Sequence, residues 1–146
     1  MDRRTLLTSA AMLTAATTLG HAATPPGHSH HHHGQSPQAE LLLDVVSDCI
    51  IKGELCLAHC LILLGDGDKS VAGCAQSVNE TLALCEGLRK LVAQASKHAK
   101  SVALIAMNAC LACEKECQKH VKLHKECRDC AAACAACARE CKAYAA

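Results

Sequence analysis

The run Cys127-Arg-Asp-Cys130-Ala-Ala-Ala-Cys134-Ala-Ala-Cys137-Ala-Arg-Glu-Cys141 restricts what this chain can fold into more than any other feature. Its five cysteines recur at steps of three, four, three and four. At about 100° per residue, those steps confine them to an arc of roughly 80° on one face of an α-helix. Where a bundle helix ordinarily shows Leu or Ile to its neighbours, this one shows thiols separated by alanines. The stripe belongs on an inward face, so the chemistry of the chain is expected inside the fold.

Helical residues i and i+4 have Cβ atoms about 5–6 Å apart, whereas a disulfide needs them near 3.8 Å with a defined torsion. Two sulfurs on opposite sides of a two-coordinate Cu(I), roughly 4–4.5 Å apart, suit the helical spacing better, and soft thiolates select Cu(I) by ligand type. Thirteen cysteines in total, an odd number at helical spacing, also argue against a disulfide scaffold. With no Trp, no Phe and a single Tyr, sulfur replaces aromatic bulk in the core.

A formal net charge of +1 and the absence of a large basic block exclude the electrostatics of a nucleic-acid binder. Catalysis is not expected. Paired Glu-x-x-His motifs of di-iron bundles do not occur, the iron–sulfur spacing ending in Cys-Pro is missing, and the Cys-x-x-Cys pairs lie inside helical stripes rather than at a helix start after a strand.

Arg3-Arg4 followed by an Ala/Thr/Leu run and small residues at Ala22 and Ala23 reads as a twin-arginine signal over residues 1–23, which predicts export to the periplasm. No later stretch is long and apolar enough to span a bilayer. Residues 24–36 form a Pro/Gly-containing arm with His28, His30, His31, His32 and His33, imidazoles able to catch Cu(II), Ni(II) or Zn(II) loosely. Residues 37–146 carry four helical segments, at about 38–64, 69–95, 96–121 and 123–144. Gly65-Asp66-Gly67-Asp68 is the clearest turn, and Asp68 and Ser96 are the expected N-caps. Short connections make neighbouring helices antiparallel. The expected fold is all-α, an up-down-up-down four-helix bundle with a cysteine-lined core.

The other helices repeat the stripe. Cys49, Cys56 and Cys60 span about 40°, Cys74 and Cys85 about 20°, and Cys110, Cys113 and Cys117 about 60°. Counting from the end that holds the Gly65–Asp68 turn and the turn near Lys122 gives three layers. Cys60, Cys74, Cys117, Cys127 and Cys130 come first, then Cys56, Cys110, Cys113, Cys134 and Cys137, then Cys49, Cys85 and Cys141. The column so formed is roughly 25 Å deep. Leu42, Val45, Val46, Leu88, Leu91, Val92, Val102 and Ile105 are expected to close the far end, leaving the two-turn end as the mouth. Exchanging each thiol proton for a monovalent ion keeps the core neutral, which favours about one Cu(I) per cysteine. Zn(II) on four thiolates would leave two negative charges per site. A thiolate buffer for Zn(II) or Cd(II) is the alternative function.

Cys56-Leu-Ala-His59-Cys60, Cys110-Leu-Ala-Cys113-Glu-Lys-Glu-Cys117 and the Cys127–Cys141 run closely resemble the exported bacterial copper storage proteins. The resemblance runs from about Leu41 to the C-terminus. It implies a four-helix bundle that stores Cu(I), as a reservoir for cuproenzymes or as protection from copper, and that assembles as a homotetramer. It further implies exchange with a copper-delivery or cuproenzyme partner. Carried over, all thirteen cysteines are copper ligands and His59 is a ligand near the mouth. Members of this family place methionines around the mouth, where this chain has Leu63, Asp66 and Val71. His120 and His124 flank the second mouth turn and are candidates for that role, while Met107 is read as core packing.

Overall fold

The computed structural model describes residues 36–146. The expected signal, and the expected arm up to its last residue, lie outside the described residues. Four helices follow in order: α1 (Pro37–Gly65), α2 (Ala72–Ala93), α3 (Ala99–Gln118) and α4 (Lys125–Ala145), with one 3-10 turn at Lys69–Val71 before α2. Helices consecutive in sequence pack against each other, and α4 closes back on α1, while the diagonal pairs α1–α3 and α2–α4 stay apart. This is the expected antiparallel bundle.

Local chemistry sets the ends. Ser36 caps α1, its hydroxyl accepting from the Ala39 N–H at 3.2 Å, with Pro37 at the first helical position, where its missing donor costs nothing. α1 stops where Gly67 takes φ +93°: the Gly67 N–H bonds the Leu64 carbonyl and the Asp68 N–H reaches back to Leu63. The Asp68 carboxylate then accepts from the Ser70 N–H at 2.9 Å and starts the 3-10 turn. α2 ends in the same hydrogen-bond pattern, but the left-handed residue is Ala95, at φ +49°.

Two expectations for α3 need correction. It begins at Ala99, after Ser96 has used its hydroxyl to accept from the His98 N–H inside the connecting turn, so Ser96 is a turn residue rather than the helix cap. Ile105 is more than half exposed, whereas Ala99, Ala103 and Ala106 are buried. Ala103 and Ala106 stand seven and four residues before Cys110, on its face, while Ile105 is rotated about 140° away. Of the other far-end candidates, Leu42, Val46, Leu88 and Val92 are fully buried and Val45, Leu91 and Val102 pack half-buried against them. Small residues on α3 and α4, among them Ala106, Ala131 and Ala138, let those two helices approach closely.

Candidate metal centre

All thirteen cysteines are buried and none is in a disulfide. Their sulfurs meet across helices: Cys74 and Cys117 at 3.4 Å, Cys56 and Cys127 at 3.8 Å, Cys49 and Cys134 at 3.8 Å, Cys85 and Cys110 at 3.8 Å, and Cys113 and Cys130 at 3.9 Å. Four groups have every sulfur within 4.8 Å of every other: Cys56, Cys60, Cys74 and Cys127; Cys56, Cys117 and Cys130; Cys113, Cys130 and Cys134; and Cys49, Cys85, Cys110 and Cys137. Shared members join the first three groups, the Cys49–Cys134 contact joins the fourth, and Cys141 attaches to Cys137 at 3.9 Å. The thirteen sulfurs therefore form one connected column.

Its layering differs from the count along the chain. Cys56 sits with the sulfurs of the mouth, and Cys110 and Cys137 join Cys49 and Cys85 at the far end of the column. The contacts of Cys56 with Cys127 and of Cys49 with Cys134 place the α1 sulfurs about one helical turn nearer the mouth than counting gives. α1, at 29 residues against 20–22 for the others, overshoots its neighbours there.

Thiols packed on thiols divide into donors and acceptors. Hydrogen bonds from Cys110 and Cys134 pull Cys49 down to about 5, and Cys117, Cys130 and Cys134 hold Cys113 well below the usual thiol range. Burial pushes Cys60 and Cys127 up, keeping them protonated until a metal replaces the proton. Each proton still held by a thiol can be replaced by a monovalent ion without adding charge to the buried core.

Thr81 escaped the sequence reading. It is the buried polar side chain among the described residues, and its hydroxyl donates to the Ala109 carbonyl at 3.2 Å. Extending the α2 stripe through Cys74, Val78, Thr81 and Cys85, at steps of four, three and four, would have found it.

At the mouth, His59 stands outside the four sulfur groups and is half-buried. Its Nε2 lies 3.0 Å from His124 Nδ1 and 3.8 Å from Glu126 Oε2, and the His120 ring is 6.4 Å from that of His124. Hydrogen bonds from Ser70 hold the Asp68 carboxyl below its usual range, with His124 and His120 adding to the effect, so this acid shares the same end. Glu126 is a second residue the sequence reading missed, although a carboxylate two positions after His124 in the first turn of a helix was visible there. The end is not an open hole. Cys60 and Cys127 have no exposed surface, and Val71, also fully buried, occupies the turn at this end with Leu63, Leu64 and Val121 packed half-buried against the core. Asp66 is exposed on the turn, and Met107 packs half-buried against the core away from the mouth.

A four-helix bundle whose core is one connected column of free thiols defines a class: a protein that stores soft metal ions in its interior. The sequence model of the copper storage protein family matches residues 9–146, and the chain belongs to that family. Similar solved structures include apo copper storage protein 3 from Bacillus subtilis, at 29% identity over 74% of this chain and 99% of that one, with a TM-score of 0.66. The Cu(I)-bound copper storage protein BsCsp3 matches at 28% identity over 75% of this chain and 99% of that one, with a TM-score of 0.67. No curated protein matches the sequence. The protein binds and stores Cu(I) through the thiols of its bundle core.

Proposed function

We propose that all thirteen cysteines are ligands and that the store fills to about one Cu(I) per cysteine, with sulfurs bridging neighbouring ions. The observation that carries this is the connected column: adjacent groups share Cys56 and Cys130, so a single thiolate can serve two ions. The shared ligands and the charge balance together support a ratio near one. Anaerobic titration with Cu(I) against a chelator tests it. Saturation near a dozen ions is expected, and saturation at three or four refutes it. Excess Zn(II) added in competition should displace little of the Cu(I).

Copper enters at the end that carries His59, His120, His124 and Glu126, with His59 as a ligand there. The paired imidazoles at that end and the buried aliphatic side chains beyond the far end of the column support this direction. The chain is exported by the twin-arginine route and works in the periplasm as a reservoir or a safeguard. Fractionation of cells carrying the native chain and an Arg3→Lys/Arg4→Lys variant tests the route. The protein assembles as a homotetramer. Exposed Ile51, Leu55 and Ile62 on α1, and Leu104 and Leu111 beside a groove of about 550 Å³ between α3 and α4, lie on diagonally opposed helices. Two separate self-complementary faces are what a closed tetramer of two-fold interfaces needs. Light scattering after size exclusion tests the mass.

A further inference from the structure

We propose that the mouth also accepts copper as Cu(II) and reduces it, the imidazoles of His59 and His124 holding the ion and the thiols of Cys74 and Cys117 supplying the electrons. The inference rests on the reading that copper enters at this end.

The donor chemistry changes abruptly there. The column is all sulfur, which suits Cu(I), but just outside it His59 Nε2 and His124 Nδ1 face each other at 3.0 Å with a Glu126 oxygen 3.8 Å from the same Nε2. Imidazole and carboxylate suit Cu(II). Two nitrogens each about 2 Å from one ion at right angles are separated by about 2.8 Å, close to the spacing of this pair. When the donor imidazole shifts its proton to its other ring nitrogen, both facing nitrogens are free for an incoming ion.

The electrons are close by. His59 precedes Cys60, and His124 lies three residues before Cys127. Cys60 and Cys127 belong to the same four-sulfur group as Cys74, which contacts Cys117, so the cysteines next in sequence to the two imidazoles adjoin that pair. At 3.4 Å that pair is in contact, while the other close sulfur pairs lie at 3.8–3.9 Å. Its two residues stand on different helices, in the first turn of α2 and the last turn of α3. The pairs Cys113–Cys117 and Cys137–Cys141 sit instead on single helices, where Cβ atoms about 5–6 Å apart oppose a disulfide.

Two Cu(II) ions each take one electron and become Cu(I). The S–H bonds of Cys74 and Cys117 break, their two protons leave to solvent, and one S–S bond forms between the two sulfurs. Both Cu(I) ions pass to the eleven remaining thiols. One reduced chain thus converts two cupric ions in a single round, with no other oxidant or reductant.

The test uses the full chain, fully reduced and free of oxygen, mixed with two equivalents of copper(II) sulfate. The expected result is rapid loss of the Cu(II) electron paramagnetic resonance signal, a matching loss of two titratable thiols per chain, and a peptide map that places the new disulfide at Cys74–Cys117. Substituting Cys74→Ser and Cys117→Ser together should abolish the fast phase, and His59→Ala with His124→Ala should slow it. A persisting cupric signal, a disulfide mapped elsewhere in the parent chain, or a folded double serine variant that reduces Cu(II) at the parent rate overturns the proposal. Cu(I) titration of the same parent preparation separates the two readings. A chain that holds Cu(I) but leaves Cu(II) unreduced refutes the reductase alone, and one that holds no Cu(I) refutes the store on which it rests.

Discussion

Both ends of the bundle bury aliphatic side chains, but in different company. At the far end Leu42, Val46, Leu88 and Val92 meet Ala99 and Ala103 with no polar group among them, and the chain turns through Ala95 in a left-handed conformation that alanine tolerates poorly. At the mouth Val71 is just as buried, but it stands in a turn flanked by His59, His120, His124 and Asp68, and the left-handed position is a glycine. The far end is a permanent seal whose stability comes from packing alone. The mouth is a plug surrounded by imidazoles and a carboxylate, on a turn whose glycine adopts its conformation without strain.

This contrast fails first if the far end is not what holds the empty protein together. Leu88→Ala removes a fully buried side chain and should cost the metal-free protein about 2–5 kcal/mol in urea unfolding. The parent should show a helical circular dichroism spectrum without metal, and Leu88→Ala should leave the rate of Cu(I) uptake alone wherever the fold survives. Loading with Cu(I) should recover much of the loss, because the folded column holds the ions more tightly than the thiols of the unfolded chain.

Val71→Ala sharpens the other side. It should cost about 1–3 kcal/mol of metal-free stability and, unlike the change at Leu88, speed Cu(I) uptake in stopped-flow mixing. Equal uptake rates in the two variants would remove Val71 as the plug.

Replacing His59, His120 and His124 together by Ala should slow transfer of Cu(I) from a chelator about tenfold, or ~1.4 kcal/mol in the barrier. The final capacity should fall little, since thirteen cysteines remain. If the triple variant fills at the parent rate while Leu88→Ala does not, the two ends have been assigned in reverse.

The smallest effect is expected at the far turn. Ala95→Gly relieves a left-handed alanine worth about 1–2 kcal/mol but loosens the unfolded chain by about 0.5–1 kcal/mol. The net gain of roughly 1 kcal/mol or less should appear as a slightly raised unfolding midpoint. A loss instead would mean that the Ala95 methyl packs against something the turn depends on.

Much of the site was legible in the sequence because a helix converts spacing into direction. Steps of three, four, seven and eleven, each close to a whole number of helical turns, put each set of cysteines on one face, and all thirteen are buried. The sequence pattern also marked the Gly65–Asp68 turn, although Asp68 caps the 3-10 turn Lys69–Val71 and α2 itself starts at Ala72, after Val71. What it misjudged were quantities that one helix does not contain. The depth of Cys56 and Cys49 depends on how far α1 overshoots its neighbours, and no count from a turn supplies that offset. Ile105 was read as core from its hydrophobicity, but the face of α3 is fixed by Cys110, and alanines share that face.

By itself, then, the sequence determined that sulfur lines the interior, that four antiparallel helices enclose it, and that a soft monovalent ion suits it, since helical period and ligand softness are local properties of residues. Which sulfurs meet was decided only in the tertiary structure. Cys74 finds Cys117, Cys49 finds Cys134, and His59 finds His124 across 65 positions of chain. Those meetings depend on the relative height and rotation of separate helices. Both are set by the packing of small residues such as Ala106 and Ala138 between them, a sum over the whole core that no single stretch of chain records.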